Sequence, residues 1–248
     1  MALKRPLRPL MRSSLRERIP GLSGLWARLA RRSELRFWRR AVADGRLEGL
    51  SREEIFTTHV GLDRAFYAAK RVLDIGCGPR RELDWAEMAA ERVGLDPLAH
   101  RYLELLGAGA AERMTYVTGA AERIPFEDGH FDIVASVNSL DHVQDVGRVA
   151  AEIKRVLRPG GTLVLLTELN HRARLTEPQV FSWEVLELFE PELEPVYERR
   201  FEDTGRGIDA SVADAVPYDQ SRPSRPGVLV ARLSKTETSS AGAPPARG

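Results

Sequence analysis

The chain has 248 residues, a formal net charge of +1 and a single cysteine, Cys77. This length suits one α/β domain with a substantial core, and one cysteine excludes an intrachain disulfide or a multi-cysteine metal site in this sequence. The charge is uneven, because residues 1–40 hold twelve Lys or Arg against two Glu, a formal +10, and the other residues carry −9. We expect no bound metal and, without a secretory or membrane-spanning pattern, a cytoplasmic location.

The N-terminal region is expected to form a basic arm followed by helices. Prolines among arginines favour a poorly ordered arm over residues 1–20, and apolar residues then recur at helical spacing up to about residue 42. The arm could touch an anionic surface such as a membrane, whereas a nucleic acid is not the expected partner. The predicted division is an extension over 1–45, a main domain over 46–233 and a disordered tail over 234–248.

From residue 72 onward, short apolar runs alternate with segments of helical periodicity. The runs predict five strands, at 72–75, 92–95, 115–117, 131–137 and 162–167. Further elements are predicted as helices at 143–157 and 181–189, and as strands at 195–201 and 227–233 with a loop at 203–226 between them. This alternation is typical of a parallel sheet covered on both faces, the α/β Rossmann-like architecture.

The stretch VLDIGCGP, residues 72–79, is typical of a ligand-binding loop. A buried strand leads to the sheet edge, Gly76 and Gly78 allow the backbone to approach a ligand, and a helix expected next would offer free N–H groups. Asp96 ends the second strand, where a carboxylate can accept both hydroxyls of a ribose. The pattern therefore predicts a ligand that contains adenosine, either NAD or S-adenosylmethionine.

Two flanking residues favour S-adenosylmethionine. A dinucleotide fingerprint needs a third glycine at position 81, which is Arg81 here. Asp74 precedes the first glycine by two residues, where an anion would repel a pyrophosphate but can hold the ammonium group of a methionine moiety. A nicotinamide enzyme is thus a distant alternative. Arg80 and Arg81, at the start of the expected helix, either meet the cofactor carboxylate or face water.

Five ordered motifs lie between residues 70 and 168. They are VLDIGCGP, VGLDP, GAAERIPFEDGHFDIV, NSLDHVQD and EIKRVLRPGGTLVLLTE. Together they resemble the class I S-adenosylmethionine-dependent methyltransferases, particularly the broad small-molecule group. The resemblance implies a seven-stranded, mostly parallel sheet of order 3-2-1-4-5-7-6 flanked by helices, with S-adenosylmethionine as cofactor. It also implies methyl transfer to an O- or N-nucleophile on a metabolite, sugar or natural-product scaffold.

The resemblance assigns cofactor roles by position. The residues concerned are Asp74, Gly76, Gly78, Asp96, Ala121, Glu122 and Asn138. The first three would bind the methionine part, Asp96 the ribose, and Asn138 would lie near the amino acid moiety. GAAE stands where these enzymes usually have GDAE, so Ala120 replaces the acid, and the adenine contact is lost or passes to Glu122, with Ala121 supplying an N–H.

Candidates for proton transfer follow the fourth and fifth strands, since ligands bind beyond the carboxyl ends of parallel strands. Asp141 and His142 are the predicted catalytic residues, and His171 is a third candidate base. Alignment of donor and nucleophile can itself supply ~7–11 kcal/mol, so a base is useful but not obligatory. NSLDH in place of an Asn/Asp-Pro-Pro motif disfavours nucleobase or glutamine substrates.

Two questions stay open from the sequence. The first is function, because a catalytically silent member that binds S-adenosylmethionine, or only keeps the fold, would act as an interaction subunit. The second is the part played by Phe37 and Trp38, which either pack a helix onto the sheet or line a substrate lid. Cys77 lies between two glycines with no basic neighbour, and we expect it to be a small buried residue.

Overall fold

The computed structural model describes residues 23–47, 52–107 and 113–237, which are organised around one seven-stranded sheet. The strands are β1 (Arg71–Ile75), β2 (Glu91–Asp96), β3 (Thr115–Thr118), β4 (Phe131–Val137), β5 (Leu157–Leu169), β6 (Leu193–Glu202) and β7 (Gly227–Lys235). Their spatial order is β3-β2-β1-β4-β5-β7-β6. The first five are parallel and β7 runs antiparallel to β5 and β6. The predicted fold class and strand order are confirmed.

Helices flank the sheet. The described residues form α1 (Ser23–Ala43), α2 (Glu53–Phe56), α3 (Ala99–Leu106), α4 (Val146–Val156) and α5 (Ile208–Asp214). Short 3-10 helices lie at Thr58–Val60, Arg64–Tyr67, Leu140–His142 and Trp183–Leu188. None of the helices in these described ranges is long and apolar enough to cross a bilayer.

Two hydrophobic cores sandwich the sheet because successive side chains of a strand point to opposite faces. In β1, Leu73 and Ile75 belong to the core that α4 covers, whereas Val72 belongs to a second core with Phe56 and Tyr67. Burial on both faces is what a parallel sheet requires. The sheet is therefore held rigidly, and its carboxyl edge is free to carry a site.

Local sequence explains α4 well. Asp145 caps it by accepting the N–H of Arg148 at 3.0 Å, and Lys154 and Arg155 occupy the last turn, where cations complement the helix dipole. Its buried apolar stripe consists of Val146, Val149, Ala150, Ile153 and Val156. The helix predicted over 143–157 therefore begins three residues later than expected, after its cap.

The helix expected directly after the glycine loop does not form. Residues 79–90 are turns and bends, and Arg81 has a φ of +58°, a left-handed conformation that interrupts a right-handed helix. Trp85 in this segment packs edge-on against Tyr67, with ring centroids 4.9 Å apart. Arg80 and Arg81 thus do not lie at a helix N-terminus, and that prediction is wrong.

Other boundaries also differ from the predictions, and β5 and β6 are both longer than expected. Residues 183–188 form a 3-10 helix rather than part of an α-helix over 181–189, and the loop over 203–226 contains α5. β7 continues to Lys235, two residues past the predicted end of the main domain. The predicted arm over 1–20 lies outside the described residues, as does most of the predicted tail.

Candidate active site

A cavity of about 650 Å³ lies at the carboxyl edge of the sheet, where β1, β2 and β4 end. The loops after these three strands form its floor, α1 forms one wall, and residues 206–209, at the start of α5, close another side. This is the crevice in which open α/β sheets bind ligands. The glycine loop and the acid after β2, predicted as parts of one site, line this same cavity.

Gly76 is required by both conformation and space. Its φ is +71°, and a Cβ at this position would lie 2.3 Å from the Cβ of Ser139. Ser139 also donates from Oγ to the carbonyl of Ile75 at 2.6 Å, which ties the loop after β1 to the turn after β4. A larger residue at position 76 would separate these two loops, so the glycine sets the shape of the cavity floor.

Asp96 presents a buried carboxylate to the cavity. Its Oδ1 accepts the N–H of Leu98 at 2.7 Å and its Oδ2 accepts the N–H of Gly78 at 3.4 Å. Burial raises the pKa of Asp96 to about 6, although both backbone N–H groups favour the ionised form. Each oxygen keeps a lone pair for a further donor, as a ribose would supply.

A second acidic group lies beneath the glycine loop. Asp74 is 1% exposed, and its Oδ2 has no hydrogen-bond partner within the described parts of the chain. Burial and the neighbouring Glu82 carboxylate raise the pKa of Asp74, and Arg52 opposes them. Arg52 bonds to Glu82 at 2.7 Å and to Asp209 of α5 at 2.8 Å.

Sequence reasoning missed Arg52 and Glu82. Both line the cavity, yet Arg52 is one of many arginines in the chain and Glu82 stands in a segment predicted as a helix face. A buried carboxylate and guanidinium need each other because either charge alone would be costly. Arg52 and Glu82 are 30 residues apart in the chain, so no local sequence motif indicates that they pair.

The two arginines of the loop have different surroundings. Arg80 lines the cavity, with its guanidinium 5.5 Å from the ring centre of Trp38 and 3.6 Å from Asp209. Arg81 pairs with Asp84 on the outside of the same segment and is not among the lining residues. Arg80 alone of the pair is therefore placed to meet a ligand.

The inner face of α1 forms a wall of the cavity. Trp38 donates from Nε1 to Glu34 at 2.7 Å, and a Cβ on Gly78 would lie 3.5 Å from the Trp38 ring. Phe37 also lines the cavity while remaining 49% exposed. Phe37 and Trp38 therefore both line the cavity, and their part in a substrate lid stays a prediction.

The remaining predicted cofactor residues surround the same space. Ala121, Glu122 and Asn138 all line the cavity. Glu122 accepts the backbone N–H groups of Gln144 at 2.7 Å and Asp145 at 3.2 Å, so its carboxylate already braces the turn before α4. Asn138 has a φ of +50°, and its Oδ1 has no hydrogen-bond partner among the described residues. Asn138 is thus the better poised of these to receive a donor.

The predicted catalytic residues form a buried cluster with His171. Asp141 is 0% exposed, and its carboxylate oxygens lie 3.8 Å from Nε2 of His142 and 3.7 Å from Nε2 of His171. Burial raises the pKa of Asp141, and the two imidazoles oppose that rise. His142 lines the cavity, whereas Asp141 and His171 lie behind it. In this arrangement, Asp141 reaches a ligand only through His142.

Cys77 lies in the core at 3% exposure, and burial raises the pKa of its thiol. A thiol of this kind is a poor nucleophile because the thiolate is the reactive form.

The donor set fits an adenosine ligand with a cationic end. Two buried carboxylates, Asp74 and Asp96, line the cavity, and the orphaned Oδ2 of Asp74 can receive an ammonium group. The same carboxylates would oppose a pyrophosphate. The sheet order, the glycine loop after β1 and the acid that ends β2 are those of the class I S-adenosylmethionine-dependent methyltransferase fold that the sequence resembles.

Comparisons with known proteins agree with that class. Residues 73–165 match the family model described as a methyltransferase domain, so this segment of the chain is similar to that family. Tocopherol O-methyltransferase of Arabidopsis thaliana is 32% identical over 46% of this chain and 35% of its own length. Ubiquinone biosynthesis O-methyltransferase of Pseudomonas aeruginosa is 37% identical over 42% of this chain and 47% of its own length.

Solved structures share the fold at lower identity. An S-adenosylmethionine-dependent methyltransferase from Mesorhizobium loti superposes with a TM-score of 0.55 at 19% identity, covering 76% of this chain and all of that one. The [4+2]-cyclase SpnF superposes with a TM-score of 0.55 at 20% identity, covering 70% of this chain and 78% of that one. The chain spans between a third and a half of the curated relatives named above, so likeness to them concerns the domain.

Proposed function

We propose that the protein transfers a methyl group from S-adenosylmethionine to an O- or N-nucleophile of a small-molecule acceptor. The observation that carries this proposal is the single cavity that has Asp74 and Asp96 at its glycine loop and His142 on its lining. Asp74 would hold the amino group of the methionine moiety, and Asp96 would accept the ribose hydroxyls. The cofactor supplies an electrophilic methyl group on a sulfonium.

His142 is the group best placed to take a proton from the acceptor. Its Nε2 faces Asp141 at 3.8 Å, which leaves Nδ1 to accept the proton. The buried carboxylate of Asp141, 3.8 Å from Nε2, would stabilise the resulting imidazolium. We therefore assign His142 as the base, and Asp141 with His171 as positioning residues behind it.

The nature of the acceptor is supported by the relatives. One is named a tocopherol O-methyltransferase and the other a ubiquinone biosynthesis O-methyltransferase. The cavity combines apolar residues such as Phe37, Val143 and Ile208 with the polar His142 and Glu168, a mixture that suits a hydroxylated molecule with an apolar body.

The first test separates cofactor binding from methyl transfer. Calorimetric titration with S-adenosylmethionine and S-adenosylhomocysteine should show binding to the wild type and a large loss of affinity in Asp74→Asn. A labelled-methyl screen over hydroxylated acceptors should then yield a labelled product. Failure to bind either compound would refute the proposal, and binding without transfer to any acceptor would favour the silent interaction subunit.

The second test concerns the base. His142→Ala should lower the single-turnover methylation rate by about 10²–10⁴-fold, while Asp141→Asn should lower it less and shift its pH profile. His130→Ala is the matched control, because His130 pairs with Glu91 at 2.9 Å and is not a cavity residue. Unchanged rates in both His142→Ala and Asp141→Asn would exclude a side-chain base at this position.

A further inference from the structure

α1 carries an exposed apolar stripe on the side away from its cavity wall. Leu25 and Leu29 are 52% and 39% exposed, and at 100° per residue they lie opposite Glu34 and Trp38. Trp26, 38% exposed, lies about a quarter turn away from the two leucines, on the side of the helix that carries Phe37. The large hydrophobic side chains exposed among the described residues are Leu25, Trp26, Leu29, Phe37, Val196 and Val216. Scattered exposed apolar residues are ordinary, but four of these six belong to this one helix.

The same helix is strongly basic. Its arginines are Arg28, Arg31, Arg32, Arg36, Arg39 and Arg40, all of them exposed. No carboxylate of the described residues forms an ion pair with any of them. The one acid of α1, Glu34, accepts the Nε1 hydrogen of Trp38 instead. Apart from Arg31, which lines the cavity, these arginines and the apolar stripe share the outer surface of α1, where no carboxylate of the described ranges forms an ion pair with them.

We propose that α1 docks the protein on the surface of a bilayer that contains anionic lipids. In this arrangement Leu25, Trp26 and Leu29 enter the boundary between headgroups and acyl chains, and the neighbouring arginines contact lipid phosphates. The inner face of α1 lines the candidate active site, so docking through the outer face would leave the cavity behind α1, one helix diameter, ~10 Å, from the bilayer surface.

A bilayer with anionic lipids can contact both the apolar side chains and the arginines of α1. The other candidate occupants match only one of these two features. A second copy of the chain would bury the apolar stripe, but α1 against α1 would bring like charges together. RNA would neutralise arginines such as Arg28 and Arg32 but would leave Leu25 and Leu29 in water. The anionic lipid surface offers phosphate and hydrocarbon at adjacent depths, which matches the arrangement of these side chains.

Co-sedimentation of the full chain with extruded vesicles tests the proposal without cofactor or acceptor. The protein should bind to vesicles of phosphatidylcholine mixed with phosphatidylglycerol. It should bind much more weakly to vesicles of phosphatidylcholine alone. Binding should weaken when salt is raised from about 0.1 M to about 1 M, which shortens the Debye length from ~10 to ~3 Å. Fluorescence of the bound protein should shift to shorter wavelength, and Trp26→Phe should lose most of that shift.

Two double variants locate the docking surface. Arg28→Glu with Arg32→Glu should weaken vesicle binding at least about 30-fold, the factor expected from two surface arginines. Leu25→Ser with Leu29→Ser should weaken it about tenfold or more. These four residues do not line the cavity, so S-adenosylhomocysteine binding and the circular dichroism spectrum should stay as in the wild type.

Matched controls keep the result specific to α1. Arg123→Glu with Arg148→Glu changes the total charge equally on exposed arginines elsewhere, and Val196→Ser removes an apolar side chain that is 53% exposed on β6. Both controls should bind anionic vesicles like the wild type. No binding to anionic vesicles, equal loss in the controls, or retention of RNA in place of vesicles would overturn the proposal.

Discussion

Asp96 should make cofactor binding depend on pH. Burial raises the pKa of its carboxyl to about 6, and the ionised form is the better acceptor for two ribose hydroxyls. Protonation converts one oxygen into a donor, so cofactor affinity should fall as the pH falls through 6. With a pKa of about 6, the ionised fraction drops from about 0.9 at pH 7 to about 0.09 at pH 5, which weakens binding about tenfold.

The stability of the cofactor-free protein should change in the opposite direction. The pKa of Asp96 is 3.8 as a model value and about 6 in the folded protein, a rise of about two units or about 3 kcal/mol. A raised pKa means that the folded state binds the proton more tightly. The stabilisation from Asp96 is therefore complete below pH 3.8 and is lost as the pH rises through 6.

Asp96→Asn separates this residue from other titrating groups. The affinity for S-adenosylhomocysteine can be measured by calorimetry from about pH 8 down to about pH 5. Over this range the wild type should lose about tenfold more affinity than the variant. The charge of Asp96 also raises the pKa of Asp74, so the difference between the two pH profiles reports Asp96 together with its effect on Asp74. Thermal unfolding without cofactor should vary less with pH in Asp96→Asn. Parallel pH profiles of the two proteins in both measurements would refute the reasoning.

Two further predictions concern stability at the cavity. Gly76→Ala forces a Cβ onto a residue at φ +71° with no room for it, which should cost at least about 1–3 kcal/mol and abolish cofactor binding. Gly24→Ala, where a Cβ meets nothing within 4 Å, should be neutral or stabilising in thermal melts; equal losses would contradict this account. Arg52→Met leaves Glu82 buried without its cation and should cost about 3–5 kcal/mol. Asp209→Ala removes the half-exposed partner of the same arginine and should cost less than about 1 kcal/mol, and a reversed ranking by circular dichroism would count against it.

The fold was predictable because its signals are local and repeated. Each strand is a short apolar run, and α4 has a complete 3.6-residue stripe with an Asp cap, so its pattern survives in any tertiary context. The segment 79–90 was mispredicted for the opposite reason. Its apolar residues occur at spacings that a helix would allow, but Arg81 is left-handed and Trp85 packs on Tyr67. Tertiary packing decided that conformation.

The candidate site divides in the same way. The sequence by itself determined the parts that depend on chain-local geometry: the strand that carries Asp74, the glycines that turn after it, and the acid at the end of the next strand. These positions follow from strand length and from the conformational freedom of glycine, which are properties of a few consecutive residues.

The tertiary structure alone decided which distant charges meet. Arg52 pairs with Glu82, the guanidinium of Arg80 lies near the Trp38 ring of α1, and Asp141 receives the imidazole of His171 from the loop after β5. Such pairs form because a charge removed from water needs a partner, and that partner can come from any element that the fold brings close. Contacts between residues far apart in the chain leave no periodic signal in one sequence, so only the folded structure reveals them.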